Sequence, residues 1–170
     1  MLANKKIILF VFIFASIFLE FLRDFLFVNI NLQIQFSNLT ESGYDTFNFT
    51  DSKMLEIIKD FSIQKLKILK WSMTLFFFLF FILIGSLFSF VIWDNNTAKK
   101  FTKLYSLSGL TIFGTGFIIY LSSLFFNTEN RFNFYYISIE LSHFVQSSLY
   151  PISFLLVFYA YRKMKIQPKY

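Results

Sequence analysis

The sequence predicts an all-α integral membrane protein: a bundle of four transmembrane helices with an amphipathic interfacial helix in its first outer loop. Three observations predict it. Hydrophobic residues make up 56% of the chain and mean hydropathy is +0.58. Charged residues are only 15%, against about 25% in a soluble domain, so the chain lacks the polar surface to cover a water-soluble globule. Four apolar runs, 7–28, 71–93, 104–126 and 135–159, each reach the length of about 20 residues that crosses the hydrocarbon core.

The first run follows Lys5 and Lys6 but is too long for the apolar region of a signal peptide, about 7–15 residues. It continues through EFLRDFLFV with no small-residue cleavage site, so a retained span is expected. Residues 29–70 form the first outer loop. Its early part, NINLQIQFSNLTESGYDTFNFT, alternates polar and apolar residues without a helical period. Its later part, DSKMLEIIKDFSIQKLKILK, sets Met54, Ile57, Ile58 and Phe61 on one helical face, which predicts an interfacial helix of two to three turns. A cytoplasmic loop at 94–103, a short outer loop at 127–134 and a basic tail at 160–170 complete the order.

Basic residues orient the spans. An N-terminus in the cytoplasm places Lys5, Lys6, Lys99, Lys100, Lys103, Arg162, Lys163, Lys165 and Lys169 on that side, opposed only by Asp94. The other side holds Lys53, Lys59, Lys65, Lys67, Lys70 and Arg131, balanced by acids. Both termini are therefore expected inside, with the tail against anionic lipid. The same distribution assigns the net charge of +6 to topology and not to nucleic acid. Trp71, Trp93, Tyr105, Tyr135, Tyr136, Tyr159 and Tyr161 are expected as interfacial anchors, as in aromatic belts.

Small residues predict where helices approach closely. The third span pairs Thr111 with Thr115 and carries Gly109 and Gly116 on a neighbouring stripe; the second has Gly85 and Ser89, the fourth Ser138 and Ser142. The third span is expected at the centre.

A polar layer is predicted near the outer boundary. At a rise of about 1.5 Å per residue, Arg23 and Glu140 both lie about 7 Å deep, and Glu20 and His143 both about 12 Å deep. Asp24 falls near the first pair and Gln146 somewhat deeper. Ionisable residues at such depth cost about 2.5–3.5 kcal/mol each and are turned inward and paired. An Arg23–Glu140 pair is expected, with Glu20 or Asp24 near His143, and Pro151 is expected to kink the fourth helix just below.

Glu140-x-x-His143 is a metal-ligand spacing. A di-metal bundle needs a second such pair and more carboxylates, which this chain lacks, so no metal or cofactor is expected. The chain has no cysteine and no phosphate loop, dinucleotide fingerprint or HExxH helix. No catalytic residue is assigned.

Two segments, FLEFLRDFLFVNINLQI (18–34) and HFVQSSLYPISFLLVFYAYRK (143–163), resemble the first and last helices of small membrane proteins associated with exosortases of the type F system. Arg23 stands where that family has an acid. The resemblance implies a bacterial inner-membrane location, with a membrane-protein partner in protein export or surface-protein sorting, and no chemistry of its own. The expected function is that of a non-enzymatic accessory or scaffold protein. The alternative is an intramembrane enzyme or proton-coupled transporter subunit using the polar layer.

Overall fold

The computed structural model describes residues 2–45, 51, 56–126 and 128–166. The described residues are helical, with no strand among them: α1 (Leu2–Glu41), a 3-10 turn (Glu56–Ile58), α2 (Ile63–Ile92), α3 (Asn95–Ser123), α4 (Thr128–Val145) and α5 (Leu149–Ile166). Among the described residues α2 and α3 are long and apolar enough to cross a membrane; α4 and α5, bent by 65° at their junction, make a third if they form one span. Apolar side chains lie outward along these helices, including Phe76, Leu87, Leu110 and Ile118, far more than a water-facing surface carries as a patch. These are the features of a membrane protein.

The chain divides into two compact units, Phe18–Phe77 and Met1–Ile17 with Phe78–Tyr170. The first unit corrects the outer loop. Residues 29–41, expected as irregular, continue α1, and α2 begins at Ile63, eight residues before the predicted span. Extending an existing helix adds one hydrogen bond per residue without a new nucleus, which outweighs the two-residue alternation of NINLQIQF. Ile30 and Gln33 fall on one helical face and are buried; Ile30 packs with Ile58 and Leu66, flanked by Ile34, Phe61, Leu69 and Met73. The Gln33 side-chain amide donates to the Lys59 carbonyl at 3.3 Å.

α1 stops at a Schellman motif. Gly43, at φ +73°, supplies the left-handed residue. Tyr44 N–H reaches the Leu39 carbonyl and Gly43 N–H the Thr40 carbonyl, both at 3.1 Å, which satisfies carbonyls the helix end leaves open. Of the segment expected as an interfacial helix, Ser52, Lys53, Met54 and Leu55 lie outside the described residues, and Glu56–Ile58 form a 3-10 turn. Ile58 is buried and Ile57 is 81% exposed, so the apolar residues divide between core and surface.

In the second unit the ten-residue cytoplasmic loop expected at 94–103 shrinks to Trp93 and Asp94, and α3 starts at Asn95. Asp94 is the cap: its Oδ2 accepts from Thr97 N–H at 3.0 Å, which makes a sharp helix start. Hydrogen bonds from Thr97, side chain and then backbone, hold the Asp94 carboxyl below its ordinary value near 3.8. A depressed carboxyl contributes stability above its unfolded pKa and loses it as pH falls through the folded value. The α2–α3 turn is therefore expected to loosen only under strong acid, and Asp94→Asn to abolish that acid step. Thermal unfolding in detergent across an acid pH series checks this.

Buried residues of α3 are Ala98, Phe101, Tyr105, Gly109, Gly116 and Ser123, a helical stripe of spacing three, four and seven. Around it gather Phe78, Val145, Tyr150 and Phe158, with Ile82, Trp93, Ile112, Phe113, Phe154 and Leu155 at the margin. Phe12 of α1 stacks on Phe88 of α2 at 3.8 Å between ring centroids.

The fourth predicted span is two helices. α4 ends at Val145, where Gln146 and Ser147 N–H groups turn back to the His143 and Phe144 carbonyls in tight i−3 bonds of 3.1 and 3.3 Å. Pro151 has no N–H, and in a continuous helix its ring would strike the carbonyl four residues back, that of Ser147. The chain unwinds over residues 146–148, and Pro151 sits in the first turn of α5, where its missing donor is harmless. The expected kink is thus a break placed just before the proline.

α4 and α5 follow one another along α3. Phe134 stacks on Phe126 at 4.7 Å, Tyr135 lies 6.2 Å from Tyr120, and Gly116 faces Ser138 and Leu141. Tyr150 then stacks on Tyr105 at 4.7 Å, and Phe158 packs on Phe101 and Trp93 at 5.2 and 5.1 Å. α4 runs antiparallel to α3, and α5, bent 65° from α4, crosses the first turns of α3 at Phe101 and Tyr105.

Candidate functional site

The two halves of the expected polar layer fall in separate units: Glu20, Arg23 and Asp24 in one, Glu140, His143 and Gln146 in the other. On α1 the first three form a local ion cluster. Both Nε and a terminal guanidinium nitrogen of Arg23 donate to Asp24 Oδ1, at 3.0 and 2.7 Å. The same terminal nitrogen lies 3.9 Å from Glu20 Oε1. The Arg23 side chain is 8% exposed, that of Glu20 27% and that of Asp24 59%. Spacing i, i+3, i+4 puts the carboxylates beside one cation on one helix turn, so Arg23 finds counter-charge without leaving its helix.

On α4 the structure separates residues that the sequence grouped. Glu140 and His143 are exposed, whereas Gln146, Ser147 and Ser148 are buried at the break. The Gln146 side-chain amide donates to the Ser142 carbonyl at 2.9 Å and to its hydroxyl at 2.7 Å. Ser147 Oγ donates to the Phe144 carbonyl at 2.8 Å. These bonds close polar groups that the unwound segment frees. The break changes the helical phase, so Ser147 does not continue the α4 face that carries Glu140 and His143. Among the described residues Glu140 makes no hydrogen bond or ion pair, and no three His, Asp or Glu side chains gather as a metal set.

The packing residues divide the same way. Gly85, Ser89, Gly109, Gly116 and Ser138 are buried, and Ser142 is half-buried. Thr111 and Thr115 are exposed, the Thr111 hydroxyl bonding its own helix at the Leu107 carbonyl, 2.9 Å away. The contact face of α3 is the glycine stripe and not the threonine pair: Gly109 lies under the Tyr150 ring and Gly116 against the α4 backbone at Ser138 and the Leu141 side chain. A Cβ added at Gly85 would lie 2.6–2.8 Å from two ring carbons and the hydroxyl oxygen of Tyr105. One at Gly109 would lie 3.0 Å from the Tyr150 hydroxyl. Ser89 Oγ sits 3.1 Å from Thr102 Oγ1, joining α2 to α3 at the cap end.

Tyr105 corrects an expectation: it is no interfacial anchor but fully buried, and its hydroxyl donates to the Phe81 carbonyl at 3.0 Å. Tyr150, which sequence reasoning passed over, is also buried and donates to the Tyr105 carbonyl. The pair ties α5 to α3 and α3 to α2. Its signal was present in the spacing of Ala98, Phe101, Tyr105, Gly109 and Gly116, which continues a helical stripe into the segment assigned to a loop. Both hydroxyls are spent on backbone carbonyls, which fits a structural role.

No family model, curated protein or solved structure matches the chain.

Proposed function

We propose that the protein is a non-enzymatic accessory subunit of a larger membrane complex, with four spans and both termini in the cytoplasm. In this reading the first half of α1, α2, α3 and the α4–α5 pair each cross the bilayer. What supports counting the pair as one span is that α4 packs on residues 116–126 of α3 and α5 on residues 101–105. A role in export or sorting of surface proteins in a bacterial inner membrane rests on the resemblance of residues 18–34 and 143–163 alone.

The observation that carries the accessory role is Glu140. It is exposed on α4, beside the likewise exposed His143. A carboxylate at that depth facing lipid costs about 2.5–3.5 kcal/mol. A second membrane protein presenting a cation or hydrogen-bond donor at the same depth removes that cost. A photo-crosslinking side chain at position 140, in native membranes, is expected to capture one discrete membrane protein. The same group at Ile118, exposed on α3, is the control. Labelling of lipid alone at position 140, or the same products at both positions, would overturn the proposal.

A further inference from the structure

Beside its core stripe, α3 forms an open apolar cleft with α5, about 510 Å³ in volume. That is within the range of ligand pockets, about 300–1,000 Å³. Leu104, Leu107 and Thr111 wall one side, Phe154, Val157 and Tyr161 the other. We propose that this cleft holds an acyl chain of an anionic phospholipid, whose headgroup phosphate sits between Lys100 and Arg162.

Chain geometry places the charges at one mouth. α5 crosses the first turns of α3, with Phe101 on Phe158 and Tyr105 on Tyr150, so the start of α3 lies beside the second half of α5. Lys100 precedes Leu104 by four residues and Arg162 follows Phe158 by four. Residues four apart share a helix face, so both cations extend the cleft's own walls past its apolar end. Lys99, Lys103 and Lys163 add to the same end, where Asp94 is the one acid between residues 93 and 104. Its carboxylate caps α3 and also lies near enough to Arg162 to feel its charge, so the net charge of the mouth is that of the cations less one. An apolar trough with a cationic mouth complements a molecule with an apolar chain and an anionic head. A second copy of this chain would bring Lys100 and Arg162 against like charge, which disfavours it.

The site rests on the membrane-spanning reading, and the test separates the two. Detergent-purified full-length protein is titrated with phosphatidylglycerol and phosphatidylcholine, and bound lipid is counted by native mass spectrometry. Phosphatidylglycerol is expected to be favoured, with each cation near the headgroup contributing a factor of about five. Lys100→Gln with Arg162→Gln is expected to erase the preference. Lys99→Gln with Lys163→Gln, an equal charge change on other faces, is expected to keep it.

Leu107→Trp with Val157→Trp, at positions 58% and 67% exposed, is expected to fill the cleft and reduce retention of both lipids. Helical content by circular dichroism verifies that each variant is folded. Equal binding of the two lipids overturns the site, as does equal loss in both glutamine pairs or full retention with the cleft filled. Protein released from membranes by carbonate without detergent would instead sink the membrane reading itself.

Discussion

Gly85→Ala is expected to destabilise the protein by about 1–3 kcal/mol, the usual cost of forcing extra carbon into a filled core. The added Cβ would stand 2.6 Å from the Tyr105 ring. That ring has no room to yield: it stacks on Tyr150 and Phe101 at 4.7 and 5.4 Å and touches Phe154 at 5.3 Å. In an open helix the same change would stabilise by up to about 1 kcal/mol, so its sign reports the wedge directly. Tyr105→Ala alone is expected to cost about 3–5 kcal/mol through the cavity it leaves. With Tyr105 already truncated, Gly85→Ala should become neutral or stabilising. A double-mutant cycle by thermal unfolding in detergent measures this coupling. Equal cost on both backgrounds would show that the ring is not what the glycine accommodates.

The second large effect is expected at Arg23. Only Arg23 of the cluster is buried, so removing it is expected to cost about 1–3 kcal/mol, as when a polar group is left without its partner. Arg23→Ala leaves Glu20 and Asp24, four residues apart, as like charges on an apolar helix. Arg23→Lys is expected to fall between, since a lysine is a point charge and cannot place two nitrogens on the Asp24 carboxylate. Replacing all three with uncharged residues of similar shape (Glu20→Gln, Arg23→Leu, Asp24→Asn) should recover most of the loss. Membrane-inserted yield and thermal stability of the four proteins decide it. An Arg23→Ala protein within about 0.5 kcal/mol of the parent, the scatter of ordinary surface changes, would show that the cluster carries no stability.

These two residues also show how far the sequence reached. Equal depth counted from predicted span ends paired Arg23 with Glu140 across helices. In the structure Arg23 engages Glu20 and Asp24 beside it, and Glu140 is exposed. Depth along a helix is legible from residue number, but the direction in which a side chain points depends on helical phase. The phase of α4 at Glu140 is set by the face it packs on α3, at Ser138 and Leu141. The threonine pair failed for a related reason. Thr111–Thr115 and Gly109–Gly116 are both small stripes on neighbouring faces, and composition cannot choose between them. The partners choose: Gly109 leaves room for the Tyr150 ring and Gly116 for the α4 backbone at Ser138.

Helix ends divide along the same line. Apolar length and low charge are properties of a segment by itself, so the sequence alone determined a helical chain with membrane-length apolar helices and a proline-bent last segment. The extension of α1 to Glu41, the start of α2 at Ile63 and the start of α3 at Asn95 depend on partners elsewhere. Ile30 needs Ile58 and Leu66, and Ala98 and Phe101 need the stripe beyond them. Tertiary structure decided those ends, the face of α3 that packs and the exposure of Glu140. Each is set by which surfaces meet, and a helical period shows the surfaces a helix has without showing which one finds a neighbour.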